Sequence, residues 1–316
     1  MERRALGRSG IDVSALSLGS WRTYECIPRD QGLAVMRAAR EAGISFLDDA
    51  RYDDETGEAP IPTGWSEVVF GELFRAAGWR RDDVVVANKL WWEWWPEQSA
   101  AGELDASLGR MGLDHVDLIY AECPPEGLAV EEAVRQVAEL IVAGKTRAWG
   151  VLNWRAELLA EASAIAAREG VPEPAATQLV YSLATPEVVE DPSVQEALGV
   201  GGTVVVASHS LAGGALCGKY AREEEGRLSS RLDDPRHQPA LALGGRLEAG
   251  TAPTDLDATP AQIALAFALQ GPAVASVLFG ATRADQVAEN VAALDVLEQL
   301  TGDDLATLRA LAAADA

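Results

Sequence analysis

A single-domain α/β fold, a closed (β/α)8 TIM barrel, is what the sequence predicts, and three observations carry the prediction. Short β-rich runs recur along the chain, each followed by a longer segment with helical spacing. About eight such repeats of about 30 residues fit a barrel of about 250 residues with some extra chain. Strict alternation of strand and helix implies parallel pairing through right-handed crossovers.

The strand candidates, in order, are "SALSLGS", "SFLDDA", "DVVVANKL", "HVDLIYAE", "RAWGVLN", "ATQLVYS", "TVVVASHS" and "ASVLFGA". Between them lie helical patterns: "DQGLAVMRAAREAG", "SEVVFGELFRAAG", "AAGELDASLGRMG", "AVEEAVRQVAELIVAGK", "RAELLAEASAIAAREG" and "ADQVAENVAALDVLEQL". In the fourth, Val130, Ala133, Val137, Leu140 and Ile141 mark one apolar face. Gly43, Gly78, Gly112 and Gly170 stand where a helix C-cap prefers glycine. Residues 1–13 read as an N-terminal hairpin at the barrel bottom, and 221–258 as a variable loop. A doubly wound open sheet is the alternative, but no G-x-G-x-x-G follows the first strand, where that fold would need it.

A barrel gathers its chemistry at the C-terminal ends of its strands. The exits read Trp21 after the first strand, Asp48 and Asp49 at the second, Lys89 at the third and Glu122 at the fourth. Asn153 follows at the fifth, Gln178 near the sixth and His209 at the seventh, and Gly280 to Arg283 close the ring. Directly after Lys89 comes "WWEWWPE", whose tryptophans cannot all share one strand face because successive side chains alternate. Trp91, Trp92 and Trp94, with Trp21 and Trp154, are therefore candidates for an aromatic wall at the barrel mouth. Such a wall suits a bulky cyclic substrate of secondary-metabolite type better than a small aldehyde.

The 48% hydrophobic content supports a large core, and a formal charge of −23 opposes binding to nucleic acid or to anionic membranes. Three scattered cysteines without metal-ligand spacing point to a reducing, cytoplasmic setting and to no metal site. No uninterrupted apolar run is long enough to span a bilayer.

Several stretches together resemble the aldo-keto reductase family: "GISFLDDARY", "GWSEVVFGE", "VVVANKL", "VDLIYAE", "GKTRAWGVLNW", "LAGGALCGKY" and "VLFGATRADQVAEN". The resemblance covers nearly the whole chain. It implies a barrel that binds NADPH without a Rossmann fold and transfers a hydride to a carbonyl. It also implies an active site of aspartate, tyrosine, lysine and histidine. The developing alkoxide needs a proton donor and nearby positive charge, which is the logic of that set.

Carried across residue by residue, the resemblance implies Asp48, Tyr52 and Lys89 as catalytic groups. Tyr52 lies four residues past Asp48 where the family usually has five, so either a residue is deleted or the role has moved. Glu122 falls where the histidine is expected, as it does in steroid double-bond reductases, and a protonated Glu122 would donate to the carbonyl of a conjugated enone. The other reading makes Glu122 a loop anchor or a partner of Lys89. His209, where relatives carry an aromatic that stacks on the nicotinamide, is a further candidate for substrate binding, by stacking or by donating a proton; the other reading makes it a loop histidine bonded to backbone.

For the cofactor, the resemblance implies Asn153 and Gln178 at the carboxamide. It implies Ser208, Leu211, Gly213 and Lys219 in the loop over the pyrophosphate. Gly280, Thr282, Arg283, Gln286 and Asn290 would hold the adenine end, with Arg283 on the 2′-phosphate favouring NADPH over NADH. The expected activity is reduction of a ketone, or of a C=C or C=N bond conjugated to one. The alternatives are an NADPH-binding regulatory subunit, as in the family's potassium-channel beta subunits, and a redox-neutral dehydratase or epimerase. A monomer is the family's common form.

Overall fold

The computed structural model describes residues 1–250 and 256–313. Two short strands, β1 (Arg3–Ala5) and β2 (Asp12–Ser14), pair antiparallel ahead of the barrel. The barrel strands follow as β3 (Leu16–Gly19), β4 (Phe46–Asp48), β5 (Val85–Leu90), β6 (Leu118–Ala121), β7 (Ala148–Leu152), β8 (Ala176–Val180), β9 (Val204–Ser208) and β10 (Val274–Phe279). They close in that order, with β10 pairing back onto β3 and every contact parallel. The fold is the (β/α)8 barrel that the alternating sequence predicts.

Helices α1 (Arg29–Glu41), α2 (Trp65–Ala76), α3 (Ala100–Met111), α4 (Val130–Val142) and α5 (Ala156–Glu169) cover the first five crossovers. Gly43, Gly78, Gly112 and Gly170 all adopt positive φ just past these helices, a region where a side chain is strained. Next come α6 (Glu187–Glu190), α7 (Pro192–Gly201) and α8 (Gln238–Glu248), so the segment 221–258 is not all loop. Residues 251–255 of that segment lie outside the described residues. Then follow α9 (Pro260–Leu269), α10 (Ala284–Val291), α11 (Ala293–Gln299) and α12 (Gly302–Ala313). The single helix expected over "ADQVAENVAALDVLEQL" is thus two, because α10 packs on α1 whereas α11 packs on α9.

Alternation along each strand divides the core into two layers. Phe46, Val85, Ala87, Leu118, Tyr120, Ala148, Ala176 and Val206 fill the barrel interior. Leu6, Ile11 and Val13 of the hairpin belong to the same cluster and plug the barrel from below. Leu47, Val86, Ile119 and Val151, one residue out of phase, face the helices instead. The inward phase sets up the site. Counting on by twos, Phe46 leads to Asp48, Val85 and Ala87 to Lys89, and Leu118 and Tyr120 to Glu122. Each polar group is delivered to the top of the barrel by an apolar stem that the core holds in place.

Candidate active site

A cavity of about 1370 Å³ opens at the C-terminal ends of the strands. Ordinary small-ligand pockets span roughly 300–1,000 Å³, so there is room here for more than one small ligand. Asp48, Tyr52, Lys89 and Glu122 all line it.

Lys89 and Asp48 are both buried and form an ion pair, with Lys89 Nζ 2.5 Å from Asp48 Oδ1. The second oxygen, Asp48 Oδ2, accepts a bond of 2.9 Å from the Gln178 amide. Both carboxylate oxygens are therefore fixed, as a charge out of water requires. The same ammonium reaches the Tyr52 hydroxyl at 3.4 Å. The shortened Asp48–Tyr52 spacing does not keep the phenol from the lysine. Burial, and then the Asp48 carboxylate, push the Tyr52 pKa well above that of a free phenol. The group stays a protonated donor over the physiological range.

Glu122 stands on the cavity wall at the exit of β6, half-buried. Its Oε1 accepts from the Cys123 backbone N–H at 3.1 Å. Burial raises its pKa, and that backbone bond partly offsets the rise. No ion pair joins it to Lys89, whose carboxylate partner is Asp48. Glu122 therefore adds a second protonatable group to the wall rather than a counter-ion for the lysine. Its backbone carbonyl is held by Trp92, whose indole N–H donates at 3.0 Å.

Trp21 and Trp91 of the predicted aromatic wall line the cavity, and so does His209. The Tyr52 and Trp91 rings meet edge-on with centroids 6.2 Å apart, and Trp21 and His209 lie 6.4 Å apart. Trp92, Trp94 and Trp154 do not line it, and this corrects the sequence reading. Trp92 is buried at 2% exposure and serves as a strut between two strand exits. Trp154 is buried in the helical layer at 3% exposure. Trp94 is 41% exposed and covers the Arg51 guanidinium, 4.4 Å from its ring centre. Loop geometry, which alternation does not describe, decides where these side chains go.

The residues expected at the cofactor end all reach the cavity: Asn153, Gln178, Ser208, Leu211, Gly213, Lys219, Gly280, Thr282, Arg283, Gln286 and Asn290. Gly213 and Gly214 have φ of 67° and 91°, so the turn after β9 exposes backbone that side chains would otherwise cover. Gln286 Oε1 is already engaged, accepting from the Thr282 and Arg283 backbone N–H groups at 2.8 and 3.1 Å. Its amide nitrogen alone remains for a ligand. Arg283 is paired with Asp285 at 3.0 Å on the open side of the cavity.

The sequence reading missed Arg227, which lies in the segment between β9 and α8 and also lines the cavity. Its guanidinium sits 5.0 Å from the Trp21 ring centre and donates to the Trp21 carbonyl at 2.8 Å. Burial, and then Arg22, lower its pKa. Among the described residues neither Arg227 nor Lys219 has an ion-pairing carboxylate, so the two cations and the glycine turn could hold a phosphate-bearing cofactor. Also missed was Glu103 on α3, whose carboxylate accepts the backbone N–H groups of Trp91 at 2.7 Å and Trp92 at 3.2 Å.

The family model for the aldo/keto reductase family matches residues 15–313. A probable voltage-gated potassium channel subunit beta from Oryza sativa subsp. japonica is 32% identical over 95% of this chain and 93% of its own length. A putative voltage-gated potassium channel subunit beta from Schizosaccharomyces pombe is 32% identical over 96% and 90%. A probable subunit of the same description from Arabidopsis thaliana is 30% identical over 95% and 93%. With a closed parallel barrel, a lysine set between a buried aspartate and a phenol, and matches over nearly its full length, the chain belongs to the aldo/keto reductase family.

Proposed function

We propose that this protein is an NADPH-dependent reductase acting on a bulky cyclic ketone, or on a C=C or C=N bond conjugated to a carbonyl. One observation carries the reading: the Lys89 ammonium lies between Asp48 and the Tyr52 hydroxyl, at 2.5 and 3.4 Å. The size of the cavity and its end lined by Lys219, Arg227 and Arg283 fit a dinucleotide phosphate. Asn153, Gln178, Ser208, Leu211, Gly213, Lys219, Gly280, Thr282, Arg283, Gln286 and Asn290 would hold it. When bound, the cofactor supplies a hydride.

The chain's own groups provide the rest. Asp48 orients Lys89 at the base of the site through their ion pair. Lys89 places positive charge beside the Tyr52 oxygen, so a phenolate left after proton donation is stabilised where it forms. Tyr52 gives its proton to the substrate oxygen. Burial favours the acid form of Glu122, which would donate a hydrogen bond to the same oxygen and polarise a conjugated system. Trp21, Trp91 and His209 supply flat apolar surface for the substrate and exclude water.

The test is a panel of aldehydes, ketones, enones and cyclic imines with purified protein and NADPH, followed at the cofactor absorbance band. Turnover of ketones or conjugated substrates above aldehydes is expected. Aldehyde turnover with enones and imines untouched would count against the role given to Glu122.

A second reading is a cofactor-binding regulatory subunit, favoured by the relatives described as potassium channel beta subunits. NADPH binding with no turnover across the panel is its signature. A redox-neutral dehydratase or epimerase would instead convert substrate without net consumption of cofactor.

A further inference from the structure

We propose that Arg51 is a positioning residue that locks the loop bearing Tyr52 to the tryptophan loop after β5, and so sets where the phenol stands over the site. The proposal rests on the reading of Tyr52 as proton donor.

Arg51 immediately precedes Tyr52 yet is only 5% exposed. Its guanidinium joins three stretches of chain. Nη1 donates to Thr63 Oγ1 at 2.7 Å, Nη2 donates to Glu93, and the plane lies 4.4 Å from the Trp94 ring centre. Glu93 and Trp94 belong to the tip of the tryptophan loop, whose base is pinned by Glu103 through the Trp91 and Trp92 amides. At that base, Trp91 presents its ring to Tyr52.

The backbone of Tyr52 is held from the other side. Its N–H donates to Ser66 Oγ at 3.3 Å and its carbonyl accepts from Gly64 at 2.8 Å. Ser66 Oγ in turn donates to the Ala50 carbonyl at 2.7 Å. Residues 49–51 alone separate Asp48 from Tyr52, so displacement of Arg51 passes directly to the phenol. Only a planar fork can bond two segments while stacking on a ring, and an ammonium cannot reproduce it. Without Arg51 the edge-on contact of Tyr52 with Trp91 remains between the loops, and an aromatic edge fixes orientation weakly.

Two measurements on the full chain test this, using Arg51→Met, Tyr52→Phe and the double variant. The first is hydrogen–deuterium exchange, which needs no substrate. Arg51→Met is expected to lose protection by about tenfold in both 51–64 and 91–97 while β5 and β6 keep theirs. Unchanged protection in either loop overturns the proposal, and so does a loss spread through the barrel, which marks a merely structural role.

The second is kinetic. Arg51→Met should lower kcat by about 10- to 100-fold with KM and NADPH affinity unchanged, as misplacement of a reacting group does. The double variant should be no slower than Tyr52→Phe, because a residue acting through another adds nothing once that one is gone. Losses that multiply overturn the proposal. A wild type without turnover would sink the reductase reading instead, and the exchange result would still judge the lock.

Discussion

The Lys89 Nζ lies 3.4 Å from the Tyr52 hydroxyl while also bonded to Asp48 Oδ1, so a single buried amine joins the carboxyl group to the phenol. Asp48 has both oxygens bonded, to Lys89 and Gln178, so within this trio Tyr52 is the candidate proton donor. Burial and Asp48 hold that phenol protonated well past neutrality, so its oxygen accepts from Lys89 while its proton stays available to a substrate. Tyr52→Phe is expected to lower kcat by about 10²–10⁴, the usual worth of a positioned general acid. Its NADPH affinity, measured by fluorescence titration, should stay within about twofold, since the phenol is not needed to bind cofactor. An unchanged kcat would move the donor role elsewhere, Glu122 being the next candidate.

Glu122 gives a pH signature whose sign can be worked out. Its pKa is raised by burial, so the acid form persists above the ordinary range of ~4.3 and is lost as pH rises through the raised value. If the protonated side chain assists the reaction, kcat/KM for an enone falls along that limb. Glu122→Gln keeps a donor at every pH and should flatten the limb while retaining turnover. Glu122→His should shift preference toward simple carbonyls. A Gln variant with the wild-type profile would show that the limb belongs to another group.

Asp49 stands one residue beyond Asp48, out of phase with the inward positions, and is fully buried. It is bonded to Ser20 through Oδ1, while Oδ2 has no protein partner. Burial, and then the charge of Glu67 on α2, raise its pKa well above the ordinary carboxylate value. A group with its folded-state pKa raised contributes stability that is complete below the unfolded pKa of ~3.9. That contribution is lost as pH rises through the folded value. Asp49→Asn mimics the neutral acid at all pH values. The difference in Tm between variant and wild type should therefore be near zero at pH 4 and grow in favour of the variant toward pH 9. Each kcal/mol is worth roughly 2 °C in a chain of this size. A pH-independent difference would show that Asp49 does not titrate differently on folding.

Much of the site was legible because strands have a period. Once "DVVVANKL" and "HVDLIYAE" are placed as barrel strands, Lys89 and Glu122 must follow Val85 and Leu118 to the interior phase. Trp92, Trp94 and Trp154 were misplaced because they lie beyond strand ends, where no period constrains them. Arg51 and Glu103 were invisible for a different reason. Their partners, Glu93 with Trp94 and the Trp91–Trp92 amides, are 11 to 43 positions away and are chosen by how α3 and the loops meet. Helix α9 escaped because it is apolar on every face and shows no amphipathic stripe. Its capping box of Thr259 and Gln262, with Pro260 between them, was the available signal.

Arg283 offers the sharpest test of cofactor choice. Its side chain is 58% exposed and already paired with Asp285 at 3.0 Å. A 2′-phosphate would have to draw the guanidinium from that carboxylate, but as a dianion with three acceptor oxygens it is the stronger partner. Because the pair is solvated, breaking it costs little. Arg283→Ala should therefore weaken NADPH binding by about 10- to 100-fold, the range of a charge-assisted bond, with NADH affinity changed by less than about twofold. Asp285→Asn, which frees the guanidinium, should tighten NADPH alone. Titrations at low and high salt separate this from general charge attraction, since an exposed pair is screened beyond about 10 Å at 0.1 M ionic strength. Equal losses for both cofactors would place the phosphate elsewhere, with Lys219 and Arg227 next in line as cavity-wall cations that have no ion-pairing carboxylate among the described residues.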